Sequence, residues 1–137
     1  MIYRDTTIVN NPIISICIPT YNQEKYISET LESVLRQKLN IPCEIIIADD
    51  CSTDATSSIC QAYQRKYPQK IIFISNEKNR GLLSNLFYVL FAAARGDYIA
   101  VCAGDDVWIK SSKLKEQYNL LKKNSHISLV HTGYNKY

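Results

Sequence analysis

A chain of 137 residues, 46% hydrophobic and 21% charged, has the makeup of one folded domain, which excludes the disordered and fibrous classes. Its 16 basic and 13 acidic residues leave a formal charge of +3, too mild to argue for a nucleic-acid partner. The longest unbroken apolar run, Leu86 to Ala94, is nine residues, whereas a membrane-spanning helix needs roughly 20.

Residues 1–12 mix polar and apolar types without period and end in Asn-Asn-Pro, which predicts a loose arm; the domain proper is expected over 13–137. Ile13 to Ile18 is a short apolar run stopped by Pro19, as in a buried strand whose end turns sharply. Ile27, Leu31, Val34 and Leu35 then fall on one face of a helix. Cys43 to Ala48, with Ile45, Ile46 and Ile47 in a row, is a strand of the kind covered on both faces, and it ends in Asp49 and Asp50. Cys-Ser-Thr-Asp supplies helix-capping chemistry for a stripe of Ala55, Ile59, Ala62 and Tyr63 that stops before Pro68. Ile71 to Ile74 is a third strand, followed by a polar loop hinged at Gly81. The helix after it, with Leu82, Leu83, Leu86, Phe87, Val89, Leu90 and Phe91, is expected to be the most buried.

A fourth strand starts at Tyr98, reads as buried on both faces, and ends in Gly104, Asp105 and Asp106. A helix carrying Leu114, Tyr118 and Leu121 follows a Ser111 or Ser112 cap, its lysines at 110, 113, 115, 122 and 123 reading as a solvated face with a weak attraction for anionic lipid. Ile127 to Val130 predicts a fifth strand. Strands alternating with helices predict an α/β fold, a mainly parallel sheet with helices on both faces. The five cysteines, at 17, 43, 51, 60 and 102, show no Cys-x-x-Cys pair, and their odd number without a secretory signal points to reduced thiols in the cytosol. His126 and His131 have no visible acidic or cysteine partner and read as packing or surface residues.

Parallel strands bring their carboxyl ends to one edge, where open α/β sheets bind ligands. That edge would gather Thr20 to Glu24, Asp49 to Asp54, and Asp105 with Asp106. Adjacent acids suit a hard divalent cation and the diphosphate it carries; alone, Gly-Asp-Asp reads equally well as a turn. A carboxylate such as Asp50 can accept the imide N–H of uracil, and Tyr21 offers a ring for stacking. A dinucleotide-binding fingerprint fails, because Pro-Thr-Tyr-Asn-Gln-Glu stands where the glycines would be, and no P-loop occurs. A phosphoacceptor receiver domain would use Asp49 and Asp50 but leaves Asp105 and Asp106 unexplained.

Three ordered motifs carry a resemblance: Ile-Ser-Ile-Cys-Ile-Pro-Thr-Tyr-Asn-Gln at 14–23, Ile-Ile-Ala-Asp-Asp-Cys-Ser-Thr-Asp at 46–54, and Gly-Asp-Tyr-Ile followed by Ala-Gly-Asp-Asp at 96–106. From residue 13 onward the chain resembles the family 2 glycosyltransferases of GT-A fold, in the nucleotide-sugar-binding portion of that domain. The resemblance implies that Pro19, Thr20 and Tyr21 lie against the donor nucleotide and that Asp50 holds the uracil. It implies that Asp105 lies near the ribose and that Asp106 ligates Mg²⁺ or Mn²⁺. Asn79 and Gly81 resemble an Asn-x-Gly that opens the following helix, and Asn85 the last residue of an Ala-Arg-Asn triplet in which Ser84 here replaces arginine.

The implied reaction is inverting transfer from a nucleoside-diphosphate sugar, a UDP-sugar on the evidence of Asp50, to a hydroxyl of a glycan or lipid-linked acceptor in surface polysaccharide synthesis. The setting implied is the cytoplasm, at the inner face of the membrane. No residue matches the family's general base, so the chain reads as apparently truncated and weak or inactive alone, with an exposed apolar patch, peripheral membrane contact and self-association as further expectations. The alternative is a non-catalytic nucleotide-binding or interaction module that lacks the acceptor half.

Overall fold

The apolar runs of the chain become the inner strands of one sheet. A computed structural model describes residues 1–136, with strands β1 (Ile2–Tyr3), β2 (Ile14–Thr20), β3 (Cys43–Asp49), β4 (Ile71–Ser75) and β5 (Tyr98–Val101) in the spatial order β1-β4-β3-β2-β5. The four longer strands run parallel, and β1 is antiparallel to β4. Ile45, Ile46 and Ile47 of β3 are all buried because both faces are covered.

One face packs under α1 (Ile27–Leu35), α2 (Thr56–Lys66) and α4 (Lys113–Lys123), where Ile16, Ile18, Ile47 and Phe73 meet Leu31, Cys60 and Leu114. The other face is covered by the helix α3 spanning 82–93, whose Leu90 packs on Cys17, Ile46 and Ile72, together with Ile8 of the N-terminal segment. The α/β reading with helices on both faces holds. Among the described residues no helix is long and apolar enough to cross a membrane.

Four local expectations differ from the structure. Residues 2–3 of the expected loose arm form an edge strand, with Ile2 opposite Ile74 and Tyr3 stacked on Phe73, and Ile8 is buried in the core. A two-residue strand has no readable period, so its partner decides it. Strand β5 is not doubly buried: Ile99 and Val101 are 45% and 46% exposed, because α3 covers the centre of the sheet and leaves this edge open. Helix α3 is therefore not the most buried, and Leu82, Leu83, Phe87 and Tyr88 face outward. Ile127 to Val130 runs without helix or ladder, since β propensity needs a partner strand to become a strand.

Within α3, Asn85–Leu90 is a wide π-helical stretch. Its buried residues, Asn85 and Leu90, are five positions apart, which α-helical spacing would turn roughly 140° from each other. The wider turn lets both face the sheet.

Pro19 stands inside β2, a central strand, although proline cannot donate to a ladder. In a strand the N and C=O of one residue face the same side, and the Pro19 carbonyl accepts from Gly104 N at 3.0 Å on the β5 side. The β2–β5 ladder has already ended at Cys17 and Val101, so no ladder donor is missing there. Gly96, just before β5, is a second tight point: a Cβ there would lie 2.6 Å from Ser15 N.

The cysteines are all free, and Cys17, Cys60 and Cys102 are buried. Burial pushes the thiols of Cys17 and Cys102 up to about 12 and that of Cys43 up to about 11, and raises Cys60 further. At pH 8 these four therefore hold very little of the reactive thiolate, which grows only as pH rises toward those values. Native protein treated with a thiol-exchange reagent at pH 8 is expected to release the signal of Cys51 first, and all five only after denaturation. Rapid reaction of four or five in the folded protein would contradict the packing.

Candidate functional site

The carboxyl ends of β2, β3 and β4 lie level, with Thr20 opposite Asp49 and Asp49 opposite Ser75. Past β5 the chain keeps alongside β2: Cys102 N donates to Cys17 O at 3.1 Å and Gly104 N to Pro19 O at 3.0 Å. The 102–106 loop thus reaches the same edge as Asp50. β3 and β5 both flank β2, so the two strands lie two interstrand spacings apart, about 10 Å, with β5 ending three residues short of β3 along β2.

Asp50 is 3% exposed and surrounded by donors. Its Oδ1 accepts from Asn76 Nδ2 and Arg80 N, both at 2.9 Å, and its Oδ2 from Gly81 N at 2.8 Å. Gly81 can aim its N–H this way at φ 82°, and Asn79 braces the turn by donating Nδ2 to the Asp50 carbonyl at 3.2 Å. Cys51 follows at φ 64°, a left-handed conformation that costs a non-glycine residue about 1–2 kcal/mol and turns the chain off sharply at Asp50.

The two loops flanking this carboxylate are cross-linked. Asn22 N donates to Ser52 Oγ at 2.9 Å and Asn22 Oδ1 accepts from Thr53 N at 2.8 Å. Gln23 N donates to Thr56 Oγ1 at 2.8 Å, and Glu24 Oε2 accepts from Ala55 N, also at 2.8 Å. Burial acts to raise the Asp54 carboxyl, but bonds from the Thr56 hydroxyl, from Thr56 N at 2.9 Å and from Glu24 N at 3.2 Å outweigh it and hold the group below the usual range. Asp49 is buried, which raises its pKa, and accepts from Ser52 N and Ser52 Oγ. Asp49 and Asp54 thus brace the 20–24 and 50–56 loops, and Asp50, with three donors on it, braces the 76–81 segment.

Asp105 and Asp106 are exposed, and among the described residues no hydrogen bond or ion pair engages either carboxylate. Both line a cavity of about 850 Å³ that also includes Val101, Trp108 and Lys113. Lys113 is not on the solvated face of its helix: its ammonium lies 4.5 Å from the Trp108 ring centroid, and burial lowers its pKa. Beneath the loop, Thr30 Oγ1 donates to Gly104 O at 3.0 Å, and a Cβ on Gly104 would collide with Gln23 and Thr20. The described residues contain no group of three or more His, Cys, Asp or Glu fit to enclose a metal. Two unengaged carboxylates beside an open cavity fit instead an ion that takes one or two carboxylates and completes its shell with phosphate oxygens and water, the habit of Mg²⁺.

The family model described as glycosyl transferase family 2 matches residues 15–136. The chain belongs to glycosyl transferase family 2. Within that family it is 44% identical over 111 residues to an uncharacterized protein of Mycobacterium tuberculosis, Rv1520, covering 81% of this chain and 32% of that one. It is 39% identical over 101 residues to the abequosyltransferase RfbV of Salmonella typhimurium, covering 73% of this chain and 30% of RfbV. The crystal structure of S. aureus TarS 1-349 in complex with UDP superposes with a TM-score of 0.67 at 33% identity, over 80% of this chain and 32% of TarS. The chain therefore spans about a third of the length of these relatives.

The residues expected to serve a family 2 donor site fall into three settings. Pro19, Thr20, Asp50, Asn79 and Gly81 converge where β2 and β3 end, with Tyr21 46% exposed on the rim. Asp105 and Asp106 stand one loop away, open to the cavity. Asn85 is internal: it is 1% exposed, accepts from Asn76 Nδ2 and donates to the Ala48 carbonyl, each at 2.9 Å. Asn76, bonded to Asp50, and Lys113, lining the cavity beside Asp105 and Asp106, were not expected there. The position of Asn76 directly after β4, level with Asp50, is the signal that could have found it.

Proposed function

We propose that this chain carries the donor-nucleotide site of a glycosyltransferase that uses a UDP-sugar with Mg²⁺ or Mn²⁺. The observation that carries the reading is that the 102–106 loop, bonded to Cys17 and Pro19 of β2, brings the unengaged Asp105 and Asp106 to the sheet edge where the buried Asp50 lies. In that arrangement the base lies at Asp50 and the diphosphate at the acid pair. Family membership and the UDP bound by the related TarS support a nucleoside diphosphate as the ligand.

In this reading Asp50 accepts the uracil imide N–H, Tyr21 lies against the base, Asp105 meets the ribose, and Asp106 holds the ion. When bound, the ion neutralises charge that develops on the departing diphosphate. The acceptor hydroxyl oxygen bonds to the anomeric carbon as the bond to the diphosphate oxygen breaks, with inversion. The hydroxyl proton needs a general base. None is assigned among the described residues, so donor binding is the part of the reaction ascribed to them. The acceptor is a growing glycan or lipid-linked saccharide, and the process is surface polysaccharide assembly at the cytoplasmic side of the membrane, in keeping with the abequosyltransferase among its relatives.

Calorimetric titration of UDP, with GDP as control, with and without Mn²⁺, tests this on the parent chain and on Asp106→Ala. The expected result is UDP binding that requires the metal and is lost in the variant. Absence of UDP binding under every condition would remove the reading.

A further inference from the structure

Asp50 is oriented by side chains that do not reach the surface. Both hydrogens of the Asn76 side-chain amide are used, one on Asp50 Oδ1 and one on Asn85 Oδ1, each at 2.9 Å. Asn85 passes the constraint on by donating its own amide to the Ala48 carbonyl at 2.9 Å. Ala48 and Asp50 lie two residues apart, so the chain of bonds leaves β3, crosses the wide turn of α3 and the end of β4, and returns to the same strand end. Asn76 and Asn85 are 9% and 1% exposed, so water competes poorly for these bonds.

Acceptor arithmetic gives this ring a use. An ionised carboxylate offers about four lone-pair positions. Asn76, Arg80 and Gly81 occupy three, which leaves one on Oδ2. A carboxylate free to turn would present a changing edge and admit a bridging water. A locked one presents a single acceptor.

The geometry points to Asn76 and Asn85 as positioning residues for nucleobase selection: by fixing the rotation of Asp50 they make its one spare acceptor favour a pyrimidine with a ring N–H, uracil, over one with a lone pair at that atom, cytosine. The inference rests on the donor-site reading above and deepens it. Acceptor facing acceptor leaves both groups unpaired in a nearly dry site, the circumstance in which hydrogen-bonding sites discriminate most strongly. Neither asparagine touches the base.

The test compares binding of UDP, CDP and inorganic pyrophosphate, each with Mn²⁺, to the parent chain, Asn76→Ala and Asn85→Ala. The parent is expected to prefer UDP to CDP by about a hundredfold or more. Each variant is expected to lose about tenfold of that preference, through weaker UDP binding. Pyrophosphate, which engages only the acid-pair end, should bind all three alike, and a merely destabilised chain would not spare it. Asn85→Ala leaves every direct partner of Asp50 in place, so it carries the test if Asn76→Ala does not fold. A folded variant that binds UDP with the parental UDP-to-CDP ratio would overturn the positioning role while leaving the donor site standing. A parent that binds pyrophosphate with Mn²⁺ but no UDP would overturn the donor reading and this inference with it.

Discussion

Exchanging Asp50 for Asn is expected to weaken metal-dependent UDP binding by about a hundredfold and to lower folding stability by about 1–3 kcal/mol. The substitution preserves shape and removes one acceptor oxygen. Asp50 sits among three donors, two of them backbone N–H groups of the 80–81 turn that cannot change sign. Whichever way an asparagine amide is placed, its NH₂ meets either Gly81 N–H or the donors from Asn76 and Arg80. The turn then loosens, and the spare acceptor offered to the base is lost as well. One charge-assisted bond to the base at about 1.5–3 kcal/mol brackets the expected loss of affinity, since every 1.4 kcal/mol is about tenfold. Calorimetry reads the first effect and urea denaturation the second. A variant that binds UDP as tightly as the parent would remove Asp50 from base recognition.

Truncating Glu44 to Ala is expected to cost more stability, about 3–5 kcal/mol. Glu44 lies on β3 with its side chain wholly buried, on the face covered by α3 and the N-terminal segment. Its Oε2 accepts from Arg95 Nη2 at 2.6 Å and Nε at 2.8 Å, and its Oε1 from Ser15 Oγ at 2.6 Å and Arg95 N at 2.9 Å. Arg95 also donates to the Val9 carbonyl at 3.0 Å, so one carboxylate ties β2, β3, the end of α3 and the N-terminal segment together. A domain of this size has a net stability of roughly 5–15 kcal/mol, so the loss is a large share of the whole. Much of it is the penalty of leaving a guanidinium partly buried without its partner. The pair Glu44→Met with Arg95→Met should therefore regain much of what Glu44→Ala loses. Denaturant midpoints with an unchanged slope would measure both. A single-variant loss below about 1 kcal/mol would mean that solvent reaches Arg95 freely, as for an exposed pair.

What could be read in the residues, and what could not, follows the range of the interactions involved. Ile45 to Ile47 announced a doubly covered strand because the pattern is local. That Asp50, Asp105 and Asp106 come to one edge was legible because they stand just past apolar runs, and parallel strands send such ends to one side. The role of Glu44 was hidden, since its partners lie 29 and 51 positions away. Asn76 and Asn85 were opaque for the same reason: a buried amide declares itself only through what it bonds. The open face of β5 and the outward side of α3 depend on how much of the sheet one helix can cover, which hydrophobic period does not encode. Ile127 to Val130 shows the converse, a strand-like run with no strand beside it.

The cross-linked loops at 20–24 and 50–56 divide the work along the crevice. With Asn22, Gln23 and Glu24 each bonded to the facing loop, the socket around Asp50 is set before any ligand arrives, so a base entering it need not spend binding energy on ordering the protein. The loop bearing Asp105 and Asp106 is held through its backbone while its carboxylates stay free. In the proposed donor site, preorganisation would thus belong to the end that identifies the nucleotide, and adaptability to the end that accommodates an ion, a diphosphate and a departing product in turn.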